Sequence, residues 1–256
     1  MKIKLSKNEK KLVIFATLFA LLFGIVPNVY AMHIMEGYLP PAFCIAWGLI
    51  CIPFVIVGYI SIKNILKENP RSITLFAMAG AFVFVLSALK IPSVTGSSSH
   101  MTGVGFGTIL FGPFAVSILG IIALIFQTVL LAHGGLTTLG ANTFSMAIAG
   151  PFATYFLYKV CFKLKVSKHK SIFIAAFGGN LFTYCITSFQ LGIAYPSVEG
   201  GILASIIKFL IVFAPTQIPL AIIEGILTVL LIMALETYAK PVLKNLKFFN
   251  GGKINE

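Results

Sequence analysis

Apolar runs alternate with short polar segments along most of the chain, as in proteins built from membrane-spanning helices. From residue 32 onwards this pattern predicts seven crossings, at about 41–62, 72–90, 102–115, 116–132, 140–161, 172–191 and 217–238. The third run is short and rich in glycine, and Gly112 and Pro113 separate it from the fourth, although the two could also form one long helix. Residues 200–214 are apolar and end at Pro215, so we expect an external loop there with an interfacial or re-entrant helix.

The basic residues fall on one side of this predicted arrangement. Twelve of the fourteen lysines and arginines after residue 31 lie in the loop after the first crossing, in the loop 159–170 and in the C-terminal tail, and the other two are Lys90 and Lys208. Basic loops of membrane proteins tend to stay in the cytoplasm. Seven crossings therefore place the start of the mature chain outside and the C-terminus in the cytoplasm, because one span more or fewer would move the basic tail to the other side.

Composition supports a membrane protein and excludes several other classes. Of the 256 residues 58% are hydrophobic and 10% are charged, and the mean hydropathy is +1.00. The net charge of +12 comes from residues beside apolar runs, which indicates membrane topology and no nucleic-acid partner. The sequence has no CxxC pair, no Walker A motif and no catalytic triad, so we expect no enzyme activity, no ATP hydrolysis by this chain and no permanent cofactor. The predicted fold is an all-α polytopic membrane protein.

Residues 1–31 have the three regions of a secretory signal peptide. A lysine-rich start is followed by an apolar run from Leu12 to about Val26, and the residues before Ala31 fit a cleavage site after it. The apolar run of about 15 residues is shorter than the roughly 20 that a spanning helix needs, although an uncleaved N-terminal anchor is the alternative. Cleavage would leave residues 32–256 as a single transmembrane substrate-binding domain that begins with Met32.

Met32 and His33 can chelate a metal ion once the chain begins at Met32. The terminal amine, the backbone nitrogen of His33 and its imidazole would close fused rings around one ion, in a plane that suits Ni²⁺, Cu²⁺ and Co²⁺. The polar, glycine-rich loop 91–103 contains one further strong donor, His100, which can supply a fourth nitrogen. The alternatives are that His33 is an ordinary residue near the membrane interface and that His100 is a solvated loop residue.

Three further ionisable residues lie in or beside apolar segments. His133 ends a predicted span and is either a transient ligand for an incoming ion or a structural histidine that satisfies backbone carbonyls at a helix end. Glu36 is expected to pair with a donor near the chelate. Glu224 lies in the last span without an obvious basic partner, which does not support a proton relay and leaves a structural role in helix packing or subunit contact.

Four ordered motifs resemble one family of membrane transporters. They are Met32–Pro40, Pro92–Gly103, Ala132–Asn142 and Pro215–Pro219. Together they are similar to the M component of cobalt and nickel energy-coupling-factor transporters, over essentially the whole chain after residue 31. The start of the first motif resembles the cobalt branch, because the nickel branch more often has Pro-Asp at positions 35 and 36.

The resemblance implies a substrate-capture subunit with seven transmembrane helices in the cell membrane, which imports Co²⁺ in systems that serve cobalamin synthesis. It implies three kinds of partner: a transmembrane coupling subunit, cytoplasmic ATPase subunits and a small accessory membrane subunit. It also implies that the ion is bound by the processed terminus at Met32, by His33 and by His100. A Ni²⁺ capture subunit is one alternative, and a secondary transporter driven by an ion gradient is another, although the latter needs intramembrane coupling groups and the sequence offers little beyond Glu224.

Overall fold

The structure, a computed structural model, describes residues 33–92 and 98–239, together with Leu243 and Leu246. The predicted signal peptide and Met32 lie outside the described residues. Within the described ranges the chain forms eight α-helices, one π-helical segment and one β-hairpin. The helices are α1 (Pro41–Glu68), α2 (Ser72–Ala88), α3 (Val104–Phe111), α4 (Pro113–Leu131), α5 (Leu139–Asn142), α6 (Gly150–Lys163), α7 (Lys168–Ala194) and α8 (Gly201–Tyr238).

The described residues contain seven continuous helical units, because α5, the π-helical segment Thr143–Ala149 and α6 follow one another without a gap. This number agrees with the seven helical segments predicted from the apolar runs of the sequence. Four helices, α1, α4, α7 and α8, are long and apolar enough to cross a membrane, and α2 is a shorter apolar helix of 17 residues. The chain is therefore an all-α, multi-pass membrane protein.

Helix α1 shows how the bundle meets the membrane. Its 28 residues extend about 42 Å at 1.5 Å per residue, and Ile45, Leu49 and Ile56 on its surface are all more than half exposed. A continuous apolar surface of this kind is stable against lipid rather than water. The main core lies behind it, between α2, α3 and α4, where the fully buried side chains include Val83, Leu110, Phe111 and Val116.

A sharp break separates α3 from α4. Gly112 has a φ of +85°, a backbone conformation that favours glycine, and Pro113 begins the next helix, where its missing N–H is not needed. The predicted break is thus confirmed, and the alternative of one long helix is wrong. All eight residues of α3 are buried, and its length of about 12 Å makes it a half-length helix inside the bundle.

Helix α8 corrects the prediction for residues 200–214. The segment is not a separate external loop, because α8 runs without interruption for 38 residues and contains both Pro215 and Pro219. Phe209 and Phe213 are buried in one cluster with Tyr184 of α7 before the first proline. Beyond it, Asn180 of α7 hydrogen-bonds to Gln217 and Glu224. The contact of α8 with α7 therefore extends across Pro215. Prolines are tolerated inside membrane helices when neighbouring structure supports the freed backbone groups.

The polar loop between α2 and α3 contains a short β-hairpin that the sequence pattern did not predict. Strand β1 (Lys90–Pro92) pairs antiparallel with β2 (Ser98–His100), and the register places Lys90 opposite His100. The hairpin gives His100 a fixed position at the end of a strand. The alternative of a solvated loop residue is therefore wrong, since His100 is only 1% exposed.

Candidate metal site

Three histidines from distant parts of the sequence meet inside the bundle. His33 precedes α1, His100 ends β2, and His133 follows α4; all three are at most 2% exposed. One ring nitrogen from each lies within 4.8 Å of the others. The ring centroids are 4.2 Å apart between His33 and His100 and 4.6 Å apart between His33 and His133. No other such group of metal-binding side chains occurs in the described ranges.

The closest approach is between His33 and His100. Nδ1 of His33 faces Nε2 of His100 at hydrogen-bonding contact. The other ring nitrogen of His100, Nδ1, contacts the backbone carbonyl of Met101 at 2.8 Å, where only an N–H can donate. That hydrogen bond leaves the lone pair of Nε2 directed at His33, as in metal-bound histidines oriented by a backbone carbonyl.

His33 is positioned by the backbone of the residue that follows it. The amide of Ile34 donates to Oδ1 of Asn142 at 2.8 Å, and its carbonyl accepts hydrogen bonds from Nδ2 of Asn142 at 3.0 Å and from Oγ1 of Thr138 at 2.6 Å. Ile34 itself is 2% exposed. The segment that begins at His33 is therefore buried in the bundle and held there by side-chain hydrogen bonds to its backbone.

Glu36 fastens the same segment at the surface. Its carboxylate accepts hydrogen bonds from the amide of Thr137 at 3.2 Å and from the Thr137 hydroxyl at 2.5 Å. The hydroxyl bond is the main reason why the pKa of Glu36 is lowered. The expectation that Glu36 pairs with a donor near the site is confirmed.

The segment after His100 is held by a buried carboxylate. Glu224 of α8 accepts hydrogen bonds from the amide of Thr102 at 2.6 Å, from the hydroxyl of Thr102 at 2.8 Å and from the amide of Gly103 at 3.0 Å. Nδ2 of Asn180 donates a fourth at 2.6 Å. Glu224 is fully buried, and the structure gives it no salt bridge among the described residues. Its role in the described chain is structural, as one of the sequence alternatives had it.

The side-chain amides of Gln217 and Asn180 extend this network to His100, and neither residue was among the predicted site residues. Nε2 of Gln217 donates to the carbonyl of His100 at 3.1 Å and to Oδ1 of Asn180 at 2.5 Å. Gln217 and Glu224 are seven residues apart and so lie on one face of α8. That spacing of two polar residues in an apolar helix is a signal that could have identified Gln217. Asn180 lies on another helix and is brought in only by the packing of α7 on α8.

His133 does not have the structural role that was one of its two predicted alternatives. Its backbone amide bonds to the carbonyl of Gln127 at 3.1 Å, but neither ring nitrogen has a hydrogen-bond partner in the described chain. The prediction that its side chain satisfies backbone carbonyls is therefore wrong. The ring instead lies 5.3 Å from that of His100, nearly perpendicular to it.

Burial keeps all three imidazoles neutral. Loss of water lowers the pKa of His100 to about 4 and that of His133 to about 2. The pKa of His33 is also well below its ordinary value, first because of burial and then because of the neighbouring His100 and His133. Neutral imidazoles offer lone pairs without competition from protons at pH 7, which suits divalent ions of the late first-row metals.

A small pocket adjoins the histidine pair. His33 and His100 contribute to its wall, and the remaining lining is mostly of hydroxyl and amide side chains: Asn142, Ser145, Met146, Thr183 and Thr187. Ser145 and Met146 belong to the π-helical segment, and such segments are frequent at functional sites. The site thus has nitrogen donors on one side and neutral oxygen groups on the other.

Comparisons with known proteins identify relatives over nearly the whole chain. A cobalt transport protein CbiM from Lachnoclostridium phytofermentans is 68% identical over 248 residues, which cover 97% of this chain and 99% of that protein. Proteins of the same name from Chlorobium limicola and Clostridium cellulovorans are 57% and 51% identical, with coverage of 88% and 98% of this chain and 89% and 98% of theirs.

Solved structures support the same assignment. A crystal structure of a transition metal transporter has a TM-score of 0.69 and 27% identity, with 81% of this chain and 94% of that chain covered. A truncated form of a transition metal transporter also gives 0.69, with 26% identity and coverage of 80% and 99%. The family described as the cobalt uptake substrate-specific transmembrane region matches residues 33–242. With this match over most of its length, the chain belongs to that family of cobalt-uptake membrane proteins.

Proposed function

We propose that this chain captures Co²⁺ at the outer face of the membrane and delivers it inward as the substrate-binding subunit of an energy-coupling-factor importer. The observation that carries the proposal is the buried contact between Nδ1 of His33 and Nε2 of His100. A histidine from near the start of the mature chain has no packing reason to be buried against a second neutral imidazole. A metal ion bound to the lone pairs of both imidazoles would explain the arrangement.

The chemistry of a chain terminus supports a planar nitrogen site. If the chain begins at Met32, its amine and the His33 backbone nitrogen form a five-membered ring with the ion. The same backbone nitrogen forms a six-membered ring through Nδ1 of His33, whereas Nε2 points away from the backbone and cannot close it. Nδ1 is the atom that faces His100. Met32, His33 and His100 would thus supply four nitrogens in one plane, a geometry that late first-row metals accept.

Cobalt is favoured over nickel by the relatives, several of which are named as cobalt transport proteins. The nitrogen plane itself could hold either ion, so a Ni²⁺ capture subunit is the second candidate. A role in supplying cobalt for cobalamin synthesis follows from the proposed substrate and the family resemblance.

The orientation proposed from the basic loops is supported by how the helices end. Lys168 at the start of α7 forms a salt bridge of 2.6 Å with Glu236 near the end of α8, so these two basic regions share one end of the bundle. We assign that end to the cytoplasm. His33, His100 and His133 all lie in segments at the opposite ends of their helices, outside. Because the chain has no nucleotide-binding motif, ATP hydrolysis is assigned to cytoplasmic ATPase partners, with a transmembrane coupling subunit and a small accessory subunit.

Calorimetric titration of Co²⁺ and Ni²⁺ into the purified, processed protein tests this proposal. The variant has one alanine inserted before Met32, and the matched control has one alanine added after Glu256. We expect the N-terminal insertion to lower Co²⁺ affinity by more than about 100-fold, because it moves the amine out of the chelate, and the C-terminal addition to change nothing. Equal affinity in the two variants would place the site elsewhere.

Uptake of radioactive cobalt by cells tests the partner assignment separately. We expect uptake to require co-expression of the coupling and ATPase subunits, and to stop when the ATPase is inactivated. Uptake that persists with this chain alone and collapses with the ion gradient would instead establish the secondary-transporter alternative.

A further inference from the structure

We propose that His133 is an additional ligand, which binds the captured ion from outside the plane formed by His33 and His100. The inference rests on the proposed function, because the planar site must hold an ion before a further ligand can reach it. It assigns to His133 a role beyond the terminal amine and the two histidines of the planar site.

The side chain of His133 is buried without a structural task. It is 0% exposed, and neither of its ring nitrogens has a hydrogen-bond partner among the described residues. A buried polar group without a partner lowers the stability of the fold, so native structures retain one chiefly where a ligand or ion completes it. Apart from His33 Nε2, the other buried unpartnered side-chain atoms are single hydroxyl or amide oxygens.

The backbone around His133 aims its ring at the site. Ala132 has a φ of +47°, a conformation that is strained for any residue other than glycine, and Gly134 has a φ of +82°. Ala132 caps the C-terminal end of α4 in this conformation, and the cap fixes the direction in which the chain leaves the helix at His133. A Cβ on Gly134 would lie 3.6 Å from Cδ2 of His33, so the turn is packed directly on the first planar ligand.

The arrangement of the rings fits a ligand approaching the plane from one side. The His133 ring makes an angle of 89° with that of His100 and 51° with that of His33. Nitrogens bound at right angles around an ion at about 2.0–2.1 Å lie about 2.9 Å apart. The three ring nitrogens are within 4.8 Å of one another, so a side-chain movement of about 2 Å brings His133 into contact with the ion.

A fifth nitrogen ligand should strengthen binding of the two candidate ions to different extents. In a strong planar field of four nitrogens, Ni²⁺ is stable as a four-coordinate square-planar ion. Low-spin Co²⁺ has one unpaired electron in the orbital that points out of that plane, and it binds a further donor there. His133 would therefore strengthen the capture of Co²⁺ more than that of Ni²⁺, and would contribute to the preference between them.

Electron paramagnetic resonance of the cobalt-loaded protein tests this assignment. An out-of-plane nitrogen splits each high-field cobalt line into three, and protein prepared with ¹⁵N-labelled histidine should give two lines in place of three. We expect the triplet in the unaltered protein, its loss in His133→Gln, and its return when imidazole is added to His133→Gly. His169→Gln is the matched control, because His169 pairs with Glu236 at the other end of the bundle.

Titration of the same variants gives a second readout. We expect His133→Gln to lower Co²⁺ affinity roughly tenfold or more while Ni²⁺ affinity changes by less than about threefold. An unaltered protein that binds Co²⁺ without a histidine-dependent triplet would overturn the assignment, as would a triplet that survives His133→Gln or a metal preference that this substitution leaves unchanged. If neither the unaltered protein nor His169→Gln binds Co²⁺, it is the proposed function that fails. The labelling experiment decides the question even if the variants do not fold.

Discussion

The segment that carries His33 is held by neutral hydrogen bonds to the backbone of Ile34, whereas the segment after His100 is held by the carboxylate of Glu224. On the first side, Asn142 and Thr138 supply ordinary amide and hydroxyl contacts to a buried backbone. On the second, one fully buried carboxylate accepts four hydrogen bonds. Hydrogen bonds to a charged acceptor are about twice as strong as neutral ones.

The contrast indicates that the segments of His33 and His100 are fixed to different degrees. Removing Asn142 leaves the buried amide of Ile34 without that partner, whereas the carbonyl of Ile34 still accepts from Thr138. Removing the carboxylate leaves three or four donors unsatisfied within the bundle, where no water replaces it. Loss of the Glu224 carboxylate should therefore lower the stability of the fold. Loss of the hydrogen bonds to Ile34 should mainly lower the affinity for metal.

The largest effect is expected from Glu224→Ala. We expect the free energy of unfolding to fall by about 3–5 kcal/mol, because the donors of Thr102, Gly103 and Asn180 lose their shared acceptor. Thermal unfolding of the metal-free protein in detergent measures this. Glu236→Ala, which breaks a half-exposed salt bridge, is the control and should cost less than about 1 kcal/mol. Equal losses in the two variants would contradict an anchoring role for Glu224.

Asn142→Ala should have a smaller effect on stability and a clearer one on metal binding. The substitution removes the two hydrogen bonds that Asn142 makes with Ile34. We expect the free energy of unfolding to fall by about 2 kcal/mol and the Co²⁺ affinity to be roughly tenfold lower. Calorimetry and thermal unfolding on the same preparation separate the two effects. If Asn142→Ala destabilised the protein as much as Glu224→Ala, the distinction between the two sides would be wrong.

Acid should weaken the metal-free protein through His100. Unfolded histidine binds a proton near pH 6.5, whereas folded His100 has a pKa of about 4, so the unfolded state binds more protons between these values. The free energy of unfolding should fall as the pH falls through this window, by about 1.4 kcal/mol per pH unit for this histidine. Unfolding curves of the unaltered protein and His100→Gln at pH 7, 6 and 5 measure the difference. Parallel pH profiles would show that burial does not suppress protonation here.

The smallest effect is expected from Glu36→Gln. The carboxylate is at the surface, and its pKa is lowered mainly by the hydroxyl of Thr137. Its contribution is present above the ordinary pKa of a glutamate and is lost as the pH falls through the lowered value. We expect a shift in melting temperature smaller than that of Asn142→Ala, and a still smaller one in a Thr137→Val background, where only the backbone amide bond to Glu36 remains. A larger loss than that of Asn142→Ala would mean that the surface contact, not Ile34, holds the segment.

The helices could be predicted from the sequence because apolar runs are punctuated by charges and by residues such as Gly112. The continuity of α8 could not be predicted, because a proline usually ends a helix. At Pro215 the helix continues because it packs against α7. The proximity of His33 and His100 could be expected from the chelate proposed for a chain that begins at Met32. The partnership of Asn180 with Glu224 was not, since it depends on the relative rotation of two helices that no local pattern specifies.

Helix α3 has a consequence for how the protein is made. At eight residues and about 12 Å it is too short to enter a membrane as an independent segment. It must therefore wait until α2 and α4 are in place, and its first residue, Val104, directly follows the loop that carries His100. His100 is therefore buried only once the longer helices have packed around α3. Assembly of the bundle and burial of this imidazole are thus completed together.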